Sequence, residues 1–173
     1  MAESYFLDTS FILRALVDNN YNANSFFYTK LVNDRSAAYI NVLVLSELIH
    51  ALERIYYNMD YPPEKSAFSP VGLKKWRKAQ KGAYKYVISE YRSIIKVLKD
   101  MVDLKIINVN VLNGDFECLL NEKIKFPELD ANDCVHLVCA KKHCENIDCI
   151  VTCDKDFKSL IGKSTVKIHH INR

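Results

Sequence analysis

Five short apolar runs alternate along this chain with stretches whose apolar residues repeat every three or four positions. That alternation constrains the fold more than any other feature. The runs are Tyr5-Phe6-Leu7, Ala37-Ala38-Tyr39-Ile40, Lys105-Ile106-Ile107-Asn108-Val109, Cys149-Ile150-Val151-Thr152 and Val166-Lys167-Ile168-His169. Between them, helices are predicted from the Thr9 or Ser10 cap to 17, and over 22–33, 42–57, 71–103, 115–123, 130–143 and 156–160. Strands alternating with helices imply an α/β fold of three layers, α/β/α, around a central, mostly parallel sheet of four or five strands.

The segment 58–70 holds three of the four prolines, Pro62, Pro63 and Pro70, and reads as an irregular connection. The helical stretch after it is broken or bent near Gly82. Continuous, it would reach ~45 Å at 1.5 Å per residue, too long for a compact domain of this size. A helical hairpin, arm or insertion over about 58–103 is therefore expected. The 173 residues suit a single domain, 1–173, with that elaboration. No apolar run approaches the ~18 residues of a membrane span. The N-terminal residues lack a secretory signal pattern, so a cytoplasmic protein is expected, with its six cysteines reduced.

Four acids fall where a predicted strand ends or a helix begins: Asp8, Glu47, Asp133 and Asp154. Ligands bind outside the carboxyl ends of the strands in open parallel sheets, so these acids can share one edge. Glu47 sits in an apolar turn among Leu45, Leu48, Ile49 and Leu52, where an unpaired charge is costly. A like-charge pair 4 Å apart costs ~1 kcal/mol in water and ~4 kcal/mol at an effective dielectric of 20. A divalent cation removes that repulsion, and oxygen-only ligands favour Mg²⁺ or Mn²⁺. Each acid also has a plainer reading. Asp8 and Asp154 could cap helices, Asp133 could close a capping box with Asp130, and Glu47 could pair with a buried Arg or Lys.

Four segments carry a resemblance: Phe6-Leu7-Asp8-Thr9-Ser10-Phe11-Ile12-Leu13, Val42-Leu43-Val44-Leu45-Ser46-Glu47-Leu48, Leu129-Asp130-Ala131-Asn132-Asp133-Cys134-Val135-His136-Leu137 and Ile150-Val151-Thr152-Cys153-Asp154-Lys155-Asp156-Phe157. In this order they resemble the PIN-domain nucleases, in particular the compact VapC-type toxin ribonucleases. The section 58–102 is matched less and is longer than in the smallest members. The resemblance implies that Asp8, Glu47, Asp133 and Asp154 are the metal-holding catalytic residues, with Mg²⁺ or Mn²⁺ as cofactor. Ser10 would support the site through its hydroxyl, Thr152 would orient the strand end or contact a phosphate, and Asp156 would be an auxiliary acid or a cap. It implies a metal-dependent endoribonuclease that hydrolyses phosphodiester bonds of single-stranded or structured RNA. The role implied is that of a toxin in a toxin–antitoxin pair, a homodimer that a small antitoxin protein covers. A housekeeping RNA-processing nuclease and a metal-dead scaffold binding RNA or protein are the alternatives.

The net charge of +3 is modest, but it is unevenly spread. Between Lys74 and Lys105 ten basic residues face three acids, leaving the rest of the chain at about −4. The densest part, Lys74, Lys75, Trp76, Arg77, Lys78 and Lys81, interleaves cations with an aromatic and is the candidate RNA-binding stretch. A solvated helix face with Trp76 packed inward is the competing reading. Cys134, Cys139, Cys144, Cys149 and Cys153 contain no Cys-x-x-Cys pair and read as core residues rather than zinc ligands. His50 and His136 read as core or supporting residues, and His169-His170 as surface. A haloacid-type phosphatase needs a second Asp two residues after the first, where this chain has Ser10. A receiver domain needs an early acidic pair that is absent, and there is no Gly-rich phosphate loop.

Overall fold

A computed structural model describes residues 3–62, 68–107, 113–143 and 146–172. Five strands form one sheet in the order β3-β2-β1-β4-β5, every neighbouring pair parallel. They are β1 (Ser4–Leu7), β2 (Ala37–Asn41), β3 (Asp103–Ile107), β4 (Cys149–Thr152) and β5 (Lys167–His170). The central strands β1 and β4 are apolar and buried on both faces, as strands covered by helices on two sides must be. The edge strands differ. In β3, Asp103, Lys105 and Ile106 are exposed, and charge on an outer strand discourages pairing with another chain.

The helices are α1 (Thr9–Leu16), α2 (Tyr21–Phe26), α3 (Val42–Asp60), α4 (Pro70–Ala79), α5 (Lys81–Met101), α6 (Asn113–Lys125) and α7 (Ala131–Lys142). A wide-turned π segment, Phe27–Asn33, continues α2, and a 3₁₀ turn, Lys155–Leu160, follows β4. None of the helices in the described residues is long and apolar enough to cross a membrane.

Several boundaries differ from those predicted. Asp8, rather than Thr9 or Ser10, caps α1. The helix α3 runs on to Asp60, so the irregular connection shrinks; Pro63 and the rest of 63–67 lie outside the described residues. Pro70 opens α4 at a position where its missing N–H is not needed, and Ser69 Oγ accepts from Gly72 N at 3.0 Å. The break falls at Gln80 rather than Gly82, because Gln80 leaves helical geometry at φ −107°, ψ 56°. Val102 is extended, so β3 begins at Asp103 instead of Lys105; Asn108 and Val109 are outside the described residues.

Within the expected elaboration, α5 packs along α3. Leu45, near the start of α3, lies by Tyr91, Ile95 and Lys99, while Tyr56 feels the charge of Glu90 nearer the start of α5. The two helices therefore run in opposite directions. Two polar contacts pin α4 to the far half of α3: Trp76 Nε1 donates to Asp60 Oδ2 at 2.7 Å, and Arg77 Nε donates to Glu53 Oε1 at 2.7 Å. Arg77 also reaches Glu53 Oε2, making the pair bidentate.

Candidate metal centre

The order of the sheet reverses at β1, which is flanked by β2 on one side and β4 on the other. Loops diverge at such a switch point and leave a crevice at the carboxyl ends of the strands. Asp8 follows β1 there, its N–H still in the ladder to Val151 O at 3.0 Å, and it is only 4% exposed. Its Oδ2 accepts from Ser10 N at 3.3 Å, from Thr152 Oγ1 at 2.8 Å, and from Ser10 Oγ. Each hydroxyl also accepts: Ser10 Oγ from Cys153 N and Thr152 Oγ1 from Asp154 N, both at 2.9 Å. These bonds lace the ends of β1 and β4 together around one oxygen of Asp8. Burial pushes the Asp8 carboxyl above its ordinary range, against the opposing pull of His136, Ser10 and Thr152.

Glu47 arrives from α3, whose start is fixed by Asn41: its Oδ1 accepts from Val44 N at 3.1 Å. Glu47 Oε2 accepts from Thr9 Oγ1 at 2.7 Å and from the fully buried His136, whose Nε2 lies 3.1 Å away. Burial alone would raise this carboxyl. The His136 and Thr9 bonds, with help from Asn132, outweigh it and hold Glu47 below its ordinary value. Atoms of the Asp8 and Glu47 carboxylates and of the His136 ring all lie within 4.8 Å of one another.

Asp133 and Asp154 lie outside that group of three. Asp130 and Asp133 form a reciprocal capping box at α7, with Asp133 N donating to Asp130 Oδ1 at 2.8 Å. Burial, then the charges of Asp130, Asp8 and Asp154, push Asp133 up to about 7, although a backbone bond from Asp130 opposes them. Asp133 thus sits in the field of the other acids. Asp154 caps the 3₁₀ turn, its Oδ1 accepting from Asp156 N at 2.9 Å, while Asp156 itself is exposed. Among the described residues, the salt-bridge partner these four acids find is His136, not an Arg or Lys. The carboxylates of Asp8 and Glu47, with those of Asp8 and Asp133 raised, fit a hard divalent cation, for which oxygen donors are the preferred ligands.

The plain and the chemical readings of the acids coexist. Asp8, Asp133 and Asp154 do cap helices, but capping occupies one oxygen and leaves the carboxylate at the edge. Ser10 supports Asp8 directly. Thr152 is fully buried, its hydroxyl donating to Asp8 Oδ2 and accepting from the Asp154 N–H. Thr9, Asn41 and Asn132 were not among the expected site residues. His136 was expected only as a core or supporting residue, and its spacing of three from Asp133 was the available signal, since such residues share a helix face.

In the basic stretch the structure separates the residues. Lys74, Lys75, Lys78 and Lys81 are exposed, whereas Trp76 is 1% exposed and packs against Tyr57, so it presents no face to a base. Arg77 is committed to Glu53. The cysteines Cys134, Cys139 and Cys149 are buried, Cys118 is exposed and Cys153 half-buried, all of them free thiols; Cys144 lies outside the described residues.

A solved structure of VapBC2 from Rickettsia felis, bound to a DNA fragment from its promoter, shares this fold at a TM-score of 0.56 and 14% identity. The match covers 96% of this chain and 97% of that one. No curated protein matches the sequence. The family model for the PIN domain matches residues 5–163, nearly the whole described sheet and the carboxylate edge with it, and the chain belongs to the PIN domain family.

Proposed function

We propose that this protein is a Mg²⁺- or Mn²⁺-dependent endoribonuclease that hydrolyses phosphodiester bonds in RNA, acting as the toxin of a toxin–antitoxin pair. The observation that supports the reading is the cluster of Asp8 and Glu47 with His136 at the switch point of a parallel sheet, beside Asp133, which burial and the charges of Asp130, Asp8 and Asp154 push up to about 7. Asp8, Glu47, Asp133 and Asp154 are the residues that would hold the cation. When bound, the cation supplies charge neutralisation for the phosphate and lowers the pKa of a water.

The chain's own residues provide the setting. Ser10 and Thr152 hold Asp8 in one orientation, so a free oxygen faces the crevice rather than rotating away. Thr9 and His136 do the same for Glu47. The exposed lysines of α4 supply the positive field that draws a polyanion toward an acidic centre. The toxin role is supported by the near end-to-end correspondence with the VapBC2 chain, α4 and α5 included. A homodimer, a small antitoxin and a cytoplasmic setting belong to the same reading.

The test is cleavage of an unstructured RNA with Mg²⁺, with Mn²⁺ and with a chelator, beside the Asp8→Asn variant. Metal-dependent cutting that Asp8→Asn abolishes is expected. No cutting by the wild type, together with undiminished Mn²⁺ binding by Asp8→Asn, refutes the nuclease. Co-purification of a small partner encoded beside the gene tests the toxin role separately.

A further inference from the structure

A second feature shares a helix with Glu47. On α3, His50, Ala51 and Arg54 follow Glu47 at three, four and seven residues, so they continue its stripe toward α4. At 1.5 Å per residue Arg54 lies ~10 Å along the axis from Glu47. Together with Phe68, Pro70 and Leu73 they line a groove of about 410 Å³ between α3 and α4. That volume is in the range of small-ligand sites, ~300–1,000 Å³.

The chemistry of the groove is specific. The Arg54 guanidinium lies 5.4 Å from the Phe68 ring centroid, and Phe68 remains 38% exposed. His50 is 64% exposed, with Nδ1 held 3.2 Å from Glu53 Oε2, which leaves Nε2 to meet a ligand. Lys74 follows Pro70 by one helical turn and Lys78 by two, so exposed cations extend along the same face of α4. The walls are fixed, because Arg77 and Trp76 anchor α4 to Glu53 and Asp60 of α3. An aromatic ring backed by a guanidinium and edged by cations matches the stacking-plus-phosphate chemistry of single-stranded nucleic acid. Acidic protein segments would use the cations but leave the ring pair without a role.

We propose that the α3–α4 groove is a single-stranded RNA subsite, in which a base stacks on the Phe68–Arg54 pair while His50 and Lys74 meet the backbone. It rests on the nuclease reading, because its place is the path of the strand leading away from the carboxylate edge. Sequence density pointed to Trp76 as the stacking residue; the structure transfers that role to Phe68.

The test is fluorescence anisotropy of the full chain with a short unstructured RNA, in EDTA so that nothing is cut. Phe68→Leu and Arg54→Ala are each expected to weaken binding about tenfold. Arg54→Lys keeps the charge without the planar group and falls between. Arg54→Ala should also reduce the salt slope by about 0.7. Lys96→Ala, in a different groove beside Tyr91 and Ile106, should change little. Unchanged affinity in Phe68→Leu and Arg54→Ala, an equal loss in Lys96→Ala, or no binding by the wild type each overturns the subsite. The two readings fail separately. Weakened binding without any metal-dependent cleavage removes the nuclease and keeps the subsite, and cleavage that both variants retain in full does the reverse.

Discussion

His136 Nε2 lies 3.1 Å from Glu47 Oε2, and the direction of that bond is set by the amide of Asn41 at the end of β2. Asn41 spends its Oδ1 on Val44 N, so its Nδ2 must be the group facing His136 Nδ1 at 3.1 Å. Nδ2 can only donate, so Nδ1 accepts and the ring proton sits on Nε2, aimed at Glu47. The N-cap of α3 therefore dictates which way a buried imidazole holds a carboxylate.

Removing that hold should loosen the metal centre without emptying it. Groups that orient metal ligands typically affect affinity 10–100-fold. His136→Ala is expected to weaken Mn²⁺ binding by roughly that factor, and Asn41→Ala by less, about tenfold, because the ring remains. Isothermal titration with Mn²⁺ reads both. Equal Mn²⁺ affinity in His136→Ala and wild type would remove His136 from the site.

Metal binding should depend steeply on pH. Asp133 is pushed up to about 7, so in the metal-free protein it is mostly protonated below that value and must lose the proton to serve as a ligand. Affinity should rise about tenfold per pH unit below about 7 and flatten above it, the slope of one released proton. In Asp133→Asn the absolute affinity falls and this slope disappears. Mn²⁺ titrations at successive pH values measure it, and a flat profile in the wild type contradicts the coupling.

The strands β1 and β4 were legible because both faces are buried, which writes them as unbroken apolar runs ending at Asp8 and just before Asp154. Asp8 and Asp154 stood out because they follow strands, and Glu47 because it interrupts an apolar turn of α3. The supports of Glu47 were not, since Thr9 and His136 lie 38 and 89 residues from it and Asn41 lies 95 from His136. Helix orientation was hidden too. Lys74, Lys75, Arg77 and Lys78 surround Trp76 in the sequence, yet α4 turns its Trp76–Leu73 side inward, so the neighbours of Trp76 in sequence are not its neighbours in space. Gln80 offered no breaker signal, and Gly82, which did, lies within α5.

The pinning of α4 makes a stability prediction. Glu53 is 2% exposed and pairs with Arg77, whose side chain is 38% exposed, and with the more exposed His50. Breaking a fully buried pair by removing one partner destabilises by about 3–5 kcal/mol, and partial solvation of Arg77 reduces this. Arg77→Ala should therefore destabilise by about 2 kcal/mol, and the double variant Arg77→Ala, Glu53→Gln by less than Arg77→Ala alone, because no buried charge is stranded. Urea denaturation gives the comparison. A double variant less stable than Arg77→Ala would mean that Glu53 finds its partner elsewhere.

Asp8 makes the opposite prediction. Its carboxyl is raised by burial, so the charged form destabilises the metal-free fold, and the penalty grows as pH rises above the ordinary carboxylate range. An asparagine can take the Ser10 and Thr152 bonds on its amide oxygen while carrying no charge. Asp8→Asn should therefore be more stable than wild type without metal at pH 7, with a higher Tm. The gap should close as pH falls and Asp8 is protonated. With Mn²⁺ present the order should reverse, because the ligand stabilises the wild type by mass action and binds the variant weakly. Thermal melts at two pH values, with and without Mn²⁺, test both signs, and a variant that is less stable under every condition would show that Asp8 is held as a structural cap rather than as a ligand kept at the expense of stability.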